Sequence, residues 1–191
     1  MIATARANVA GIEFEVEDLR EWVASDAAPV DVLVSNATLQ WVPGHLDLLP
    51  DLLARVAPGG WLAFQVPGNF GEPSHTLRTE LAAEERYAQH LQGVAGPSSH
   101  DPATYLDVLA GLGCTVDAWE TTYLHVLTGE DPVFTWVTGT GARPTLQALP
   151  DGLREEFAAE FRSRLAAAYP DRGYGVVLPC RRIFVVAQVP A

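Results

Sequence analysis

The chain has 191 residues, of which 48% are hydrophobic, enough to build one core and an expected single domain over residues 1–191. Its 12 basic residues are all arginine and face 24 acidic ones, for a net charge of −12 at pH 7. Without lysine, Schiff-base chemistry, a lysine P-loop and a Tyr/Lys dehydrogenase pair are excluded, and nothing offers the dense basic footprint that nucleic acid or an anionic membrane requires. Cys114 and Cys180 are too few for a structural zinc site or a disulfide framework, and no apolar run approaches the ~20 residues of a membrane span. The expected setting is therefore a reducing cytoplasm.

In chain order, residues 1–10 read as a helix closed at Gly11. Ile12, Phe14 and Val16 then alternate with Gly11, Glu13 and Glu15, which predicts a short strand with one solvated face. Asp18 and Glu21 form a capping-box variant for a helix running to Ala24. Residues 30–35 have the β-branched character of a buried parallel strand. A helix is predicted from Pro43 to about residue 56, and Pro58-Gly59-Gly60 turns into a second buried strand over residues 61–66. Helices are then expected over residues 74–91 and 103–112, with a polar break between them. Strand material follows at 114–119 and 122–127. Helices at 132–139 and 151–169 come next, the second with Leu153, Phe157, Phe161 and Leu165 on one stripe. Two apolar strand runs, 175–178 and 183–187, close the chain. Alternating strands and helices predict an α/β fold, a doubly wound and mostly parallel sheet whose last strand runs pair antiparallel at an edge.

Ligands of such sheets bind beyond the carboxyl ends of the strands, so the polar residues just past each strand are the ones to weigh. Those are Asp18, then Asn36, Thr38, Gln40 and Trp41, then Asn69 and Phe70, with Gln65 near a strand end. Asp18 is explained equally by helix capping, which is compatible with a ligand role. Asn36 could simply end its strand in a turn, and a large aromatic such as Trp41 usually serves packing. Gly139-Thr-Gly141 and Gly111-Leu-Gly113 are too short for a dinucleotide fingerprint. The five histidines lack metal-ligand spacing, so no metal site is expected. Ser98-Ser99-His100 lacks the strand–turn–helix setting of a nucleophile elbow.

Three segments carry a resemblance: Val30-Asp-Val-Leu-Val-Ser-Asn-Ala-Thr-Leu-Gln-Trp-Val-Pro43, Ala57-Pro-Gly-Gly60 and Leu62-Ala-Phe-Gln-Val-Pro67. Together they are similar to the second half of a class I S-adenosylmethionine-dependent methyltransferase, with its Rossmann-like sheet. Further segments narrow it: Glu72-Pro-Ser-His75, Trp119-Glu-Thr-Thr-Tyr123, Trp136-Val-Thr-Gly-Thr-Gly-Ala-Arg-Pro144 and Arg182-Ile-Phe-Val-Val-Ala187. With these the chain resembles the trans-aconitate 2-methyltransferase family over essentially its whole length. The resemblance implies S-adenosylmethionine as methyl donor and a small polycarboxylate as acceptor. It implies donor contacts at Asp18, Leu19, Asn36, Gln40 and Trp41. Acceptor contacts are implied at Arg143 and Arg182, with Tyr123, His125 and His75 as further donors.

The family's acidic Gly-rich loop, and the strands on either side of it, have no counterpart in this sequence. Met1 matches the start of the helix that follows them. The expectation is a family member lacking its first two strands, one that binds the donor weakly or not at all. A methyltransferase for another small acid, and a catalytically silent fragment or interaction module, remain alternatives. No general base is expected, because a carboxylate acceptor is already ionised at neutral pH.

Overall fold

The computed structural model describes residues 2–94 and 96–191. The β-branched run becomes β1 (Val30–Asn36), which pairs parallel with β2 (Val56–Pro67). Two longer strands, β3 (Thr115–Leu127) and β4 (Val176–Gln188), pair antiparallel, and β4 also pairs antiparallel with β2. The sheet order is β1-β2-β4-β3. The fold is thus α/β with an antiparallel edge, as expected. Antiparallel pairing reaches further in than expected, however, because β4 enters between β2 and β3 and leaves only β1 and β2 parallel.

Helices α1 (Ile2–Asn8), α2 (Leu19–Ala24), α3 (His45–Ala54), α4 (Pro73–Ala82), α5 (Glu85–Ala88), α6 (Pro102–Gly111), α7 (Pro132–Thr138), α8 (Arg143–Ala148) and α9 (Asp151–Ala168) occupy most of the remainder. Asp18 caps α2 as its spacing predicted, its carboxylate accepting from the amides of Arg20 (2.8 Å) and Glu21 (3.4 Å). Several other expectations need correction. Residues 12–16 form no strand: among the described residues no neighbouring backbone pairs with them, and Val16 is 82% exposed. The helix expected from Pro43 begins at His45, after a 3-10 turn over Leu39–Trp41, because Gly44 adopts a left-handed φ of 67°. The helix expected over 74–91 breaks into α4 and α5, and the turn before α9 contains a helix, α8, that was not foreseen. Its signal was a proline, Pro144, placed in a first helical turn.

The strand runs at 114–119 and 122–127 are one strand, as are 175–178 and 183–187. The cause is mutual: β3 and β4 pair along their whole length, so each polar middle is held by its partner's backbone. Arg181 adds ion pairs to Glu120 and, at 2.7 Å, to Asp101. Pro179 is tolerated in the stretch where β4 has β3 as its sole paired strand, since β2 reaches only Arg182.

Period-two alternation divides the core between the two faces of the sheet. Leu62, Phe64 and Val66 of β2, with Ile183, Val185 and Ala187 of β4, pack against α3 and α6. On the opposite face Leu178 and Cys180 pack with Phe157, Phe161 and Leu165 of α9 and with Leu81 and Tyr87. Further along that second face Val32, Val34, Trp61 and Trp119 are exposed. β1 and β2 approach closely at Gly60, where a Cβ would lie 2.6 Å from the carbonyl oxygen of Asp31.

Candidate functional site

The second face carries a cavity of about 510 Å³ beside the carboxyl ends of β1 and β2, where ligands of such sheets bind. Three groups of residues enclose it. Ala37, Gln40 and Trp41 follow β1; Pro67 ends β2, and Asn69, Phe70, Ser74 and His75 follow it and open α4; Trp136, Gly141 and Arg143 come from the α7–α8 region. Its floor is β4, through Leu178, Cys180 and Arg182, which alternate onto one face of the strand.

Each wall has a local cause. Ala37 takes a positive φ of 52°, turning the chain sharply out of β1, and its amide is held by the carbonyl of Gln65 (3.0 Å). Such strain in a residue with a Cβ persists only where surrounding structure enforces it. Gln40 is buried; its Nε2 donates to the Ala37 carbonyl (2.7 Å), while its Oε1 is buried without a partner among the described residues. The loop after β2 is tied to β4, with the Gly68 amide donating to the Arg181 carbonyl (2.9 Å). The start of α4 is tied to the end of α9, with the Ser74 amide donating to the Tyr169 hydroxyl (3.0 Å).

The electrostatics of the cavity oppose those of the molecule. Among the described residues no Asp or Glu lines it, whereas Arg143 and Arg182 do. Arg86, Arg154, Arg162, Arg164 and Arg181 are all paired to carboxylates. Among the described residues, the guanidinium groups of Arg143 and Arg182 have no such partner.

The sequence candidates are thus distributed unevenly. Gln40, Trp41, His75, Arg143 and Arg182 meet at this cavity. Tyr123 and His125 lie one strand further out, as cross-strand partners of the floor residues Cys180 and Leu178. His125 packs at a tilt against the lining residue Trp136, with centroids 4.9 Å apart, and Tyr123 stacks on His125 at 6.4 Å. Asn36 lines a separate groove on the exposed part of the sheet, beside Val34, Gln65 and Trp119. Asp18 is occupied in capping α2, and Leu19 packs partly against the α3–α6 core. Sequence reasoning did not single out Arg78, whose guanidinium reaches the α7–α8 turn, because an isolated arginine in a helix carries no pattern.

His75 is uncharged here. Burial, and then the charge of Arg78, lower its pKa from 6.5 to about 4. The Asn69 Nδ2 donates to His75 Nε2 (3.4 Å), which leaves the ring proton on Nδ1. Burial, and then His100, also lower the pKa of His45, whose Nε2 bonds the Tyr105 hydroxyl at 2.8 Å. A histidine with a lowered folded pKa takes up its proton first in the unfolded chain. Its contribution to stability is therefore complete above about pH 6.5 and is lost as the pH falls toward 4. Urea midpoints should accordingly fall between pH 7.5 and pH 4.5, and His75→Gln should flatten that slope. A slope unchanged by the substitution would refute the assignment to His75.

No family model matches the chain. Among curated proteins it is 52% identical, over 182 residues, to trans-aconitate 2-methyltransferase of Streptomyces avermitilis, covering 94% of this chain and 67% of that protein. It is 51% identical over 187 residues to the protein of that name in Streptomyces coelicolor, covering 94% and 60%. The protein of that name in Mycolicibacterium gilvum is 47% identical over 193 residues, covering 99% and 74%. The chain therefore spans between 60% and 74% of the length of these relatives. Among solved structures it is similar to the YcgJ protein of Bacillus subtilis, with a TM-score of 0.43 and 6% identity over 85% of this chain and 65% of that one. Identity near one half, sustained over nearly all of the chain, means that it belongs to the trans-aconitate 2-methyltransferase family.

Proposed function

We propose that the protein takes part in S-adenosylmethionine-dependent O-methylation of a carboxylate of trans-aconitate. One observation carries this reading: two guanidinium groups without carboxylate partners line a cavity free of acidic residues, in a protein of net charge −12. A tricarboxylate is repelled by such a protein at long range and must be gripped locally, which guanidinium forks do bidentately. Relatives named for trans-aconitate at about half identity support the choice of acceptor.

The residues after β1 suit the reacting end of the donor. Gln40 offers a buried carbonyl oxygen in need of a partner, and Trp41, 45% exposed, offers an apolar ring beside it. S-adenosylmethionine, when bound, supplies an electrophilic methyl carbon on a sulfonium. Gln40 and Trp41 would hold that end, while Asp18 and Asn36 lie outside the cavity, so their donor contacts would have to be made beyond it.

The acceptor oxygen is already anionic at neutral pH, so this chain has no proton to remove. Its contribution is placement. Arg143 and Arg182 fix two carboxylates and leave the third directed toward Gln40 and Trp41, while Phe70 and Trp136 exclude water. Holding two reactants in line can supply about 7–11 kcal/mol of a barrier. Uncharged His75 and Asn69 add hydrogen-bonding capacity without adding charge. The reading is tested by calorimetric titration with trans-aconitate, and by transfer of isotopically labelled methyl from S-adenosylmethionine into its ester. Saturable acceptor binding is expected, with labelled ester formed only at the low rate that weak donor binding allows. Failure to bind any polycarboxylate would overturn the reading, and preferential methylation of a different small acid would replace the acceptor.

A further inference from the structure

Arg78 lies one helical turn beyond His75 on α4, and both reach the same residue of the α7–α8 turn. Its Nη1 donates to the carbonyl of Gly141, and its Nη2 lies beside Gly96, 3.8 Å from where a Cβ would stand. The ring of His75 meets Gly141 so closely that a Cβ there would sit 3.0 Å from Cε1. The ring cannot easily yield, because Phe70 packs against it in a T-shaped pair at 5.1 Å and Asn69 bonds its Nε2. α4 therefore grips one glycine at two points, by its carbonyl and by its Cα.

Gly141 stands two residues before Arg143. The Ala142 amide bonds the Val137 carbonyl (2.9 Å) and the Arg143 amide bonds the Thr140 carbonyl (3.2 Å), so a displacement of Gly141 is passed directly to Arg143. Arg143 itself is exposed and starts a six-residue helix that has no side-chain cap. Its placement at the cavity wall depends on the turn before it. Arg78 is not among the residues lining the cavity. Its guanidinium bonds a backbone carbonyl and no carboxylate among the described residues, so its fixed fork serves the turn.

We propose that Arg78 is a positioning residue, one that holds the α7–α8 turn against α4 so that Arg143 meets a carboxylate of the acceptor. This rests on the acceptor reading above. A purely structural role would lower stability without linking Arg78 to Arg143, so the test is their coupling. Trans-aconitate is titrated calorimetrically into the wild-type chain, Arg78→Gln, Arg143→Ala and the double variant, with thermal midpoints measured in parallel.

Arg78→Gln should weaken binding roughly tenfold, as expected for loss of a charged donor. The double variant should bind no more weakly than Arg143→Ala alone, because the two act through one contact. Arg78→Lys, which keeps a charged donor, should recover part of the loss. Wild-type affinity in Arg78→Gln, or losses that add in the double variant, would overturn the proposal. If Arg78→Gln does not fold, Gly141→Ala carries the test, since it pushes the turn off His75 and so shifts the carbonyl that Arg78 bonds, while keeping Arg78 itself. It should weaken binding only while Arg143 is present; an equal loss without Arg143 overturns the proposal. A wild-type chain that takes up no polycarboxylate overturns the acceptor reading and this inference together, whereas binding that ignores Arg78 overturns this inference alone.

Discussion

A chain carrying both Arg143→Ala and Arg182→Ala should lose its affinity for trans-aconitate by roughly two to four orders of magnitude while keeping its thermal midpoint. A charge-assisted hydrogen bond contributes about 1.5–3 kcal/mol, and each tenfold change in affinity corresponds to about 1.4 kcal/mol. Two guanidinium groups on one tri-acid therefore account for about 3–6 kcal/mol. Neither side chain has a carboxylate partner among the described residues, so truncation leaves no buried charge behind, and stability should change by less than about 0.5 kcal/mol. Arg172→Ala is the control: this arginine lies outside the cavity and its loss should leave binding unchanged. Calorimetry and thermal denaturation on the same preparations measure both quantities. Unaltered affinity in the double variant would remove the basis for assigning the cavity to an anionic acceptor.

The largest loss of stability should come from Phe161→Ala. Phe161 is fully buried on α9, its ring 6.1 Å from that of Phe134 on α7 and 6.0 Å from that of Phe157. Removing such a side chain costs about 3–5 kcal/mol, as lost transfer energy and as the cavity left behind. For a chain of this size the melting midpoint should fall by roughly 6–20 °C. The substitution should also reach the site, because α9 packs against α4, α7 and α8, the three helices that carry His75, Trp136 and Arg143. Acceptor affinity should fall with stability. Leu109→Ala, in the cluster on the other face of the sheet, should destabilise the chain with a smaller effect on binding. A loss below about 1 kcal/mol for Phe161→Ala would show that the second cluster is not the scaffold of the cavity.

Particular residues show why some of this was legible in the sequence. The run at residues 30–35 reads as a strand because of its β-branched residues, and it is β1, but the expected burial does not hold: among the described residues nothing covers the face that bears Val32 and Val34, which are exposed. The stripe of Phe157, Phe161 and Leu165 is set by a helical period of 3.6 and is buried as read. Asp18 caps its helix because an N-cap needs only its own next three residues. Residues 12–16 have equally regular alternation, yet a strand is a property of two paired segments, and none of the described residues pairs with them. The continuity of β3 and β4 likewise depends on pairing between segments some 60 residues apart.

The same division runs through the site. Local pattern and family resemblance single out Gln40, Trp41, His75, Arg143 and Arg182, because short segments retain their character whatever they face. That these five residues share one cavity, while Asn36 opens onto another groove and Tyr123 and His125 stand one strand away, follows from sheet order and register. Arg78 is the clearest case. Nothing within several residues distinguishes it from the solvated arginines around it, and its contact with Gly141 spans 63 positions. Amino-acid order by itself determined the capped start of α2, the apolar stripe of α9 and the arginine-only basic set, since these depend on neighbours along the chain. Only the tertiary structure decided which cations lack partners and which turn is held against which helix, since those depend on neighbours in space.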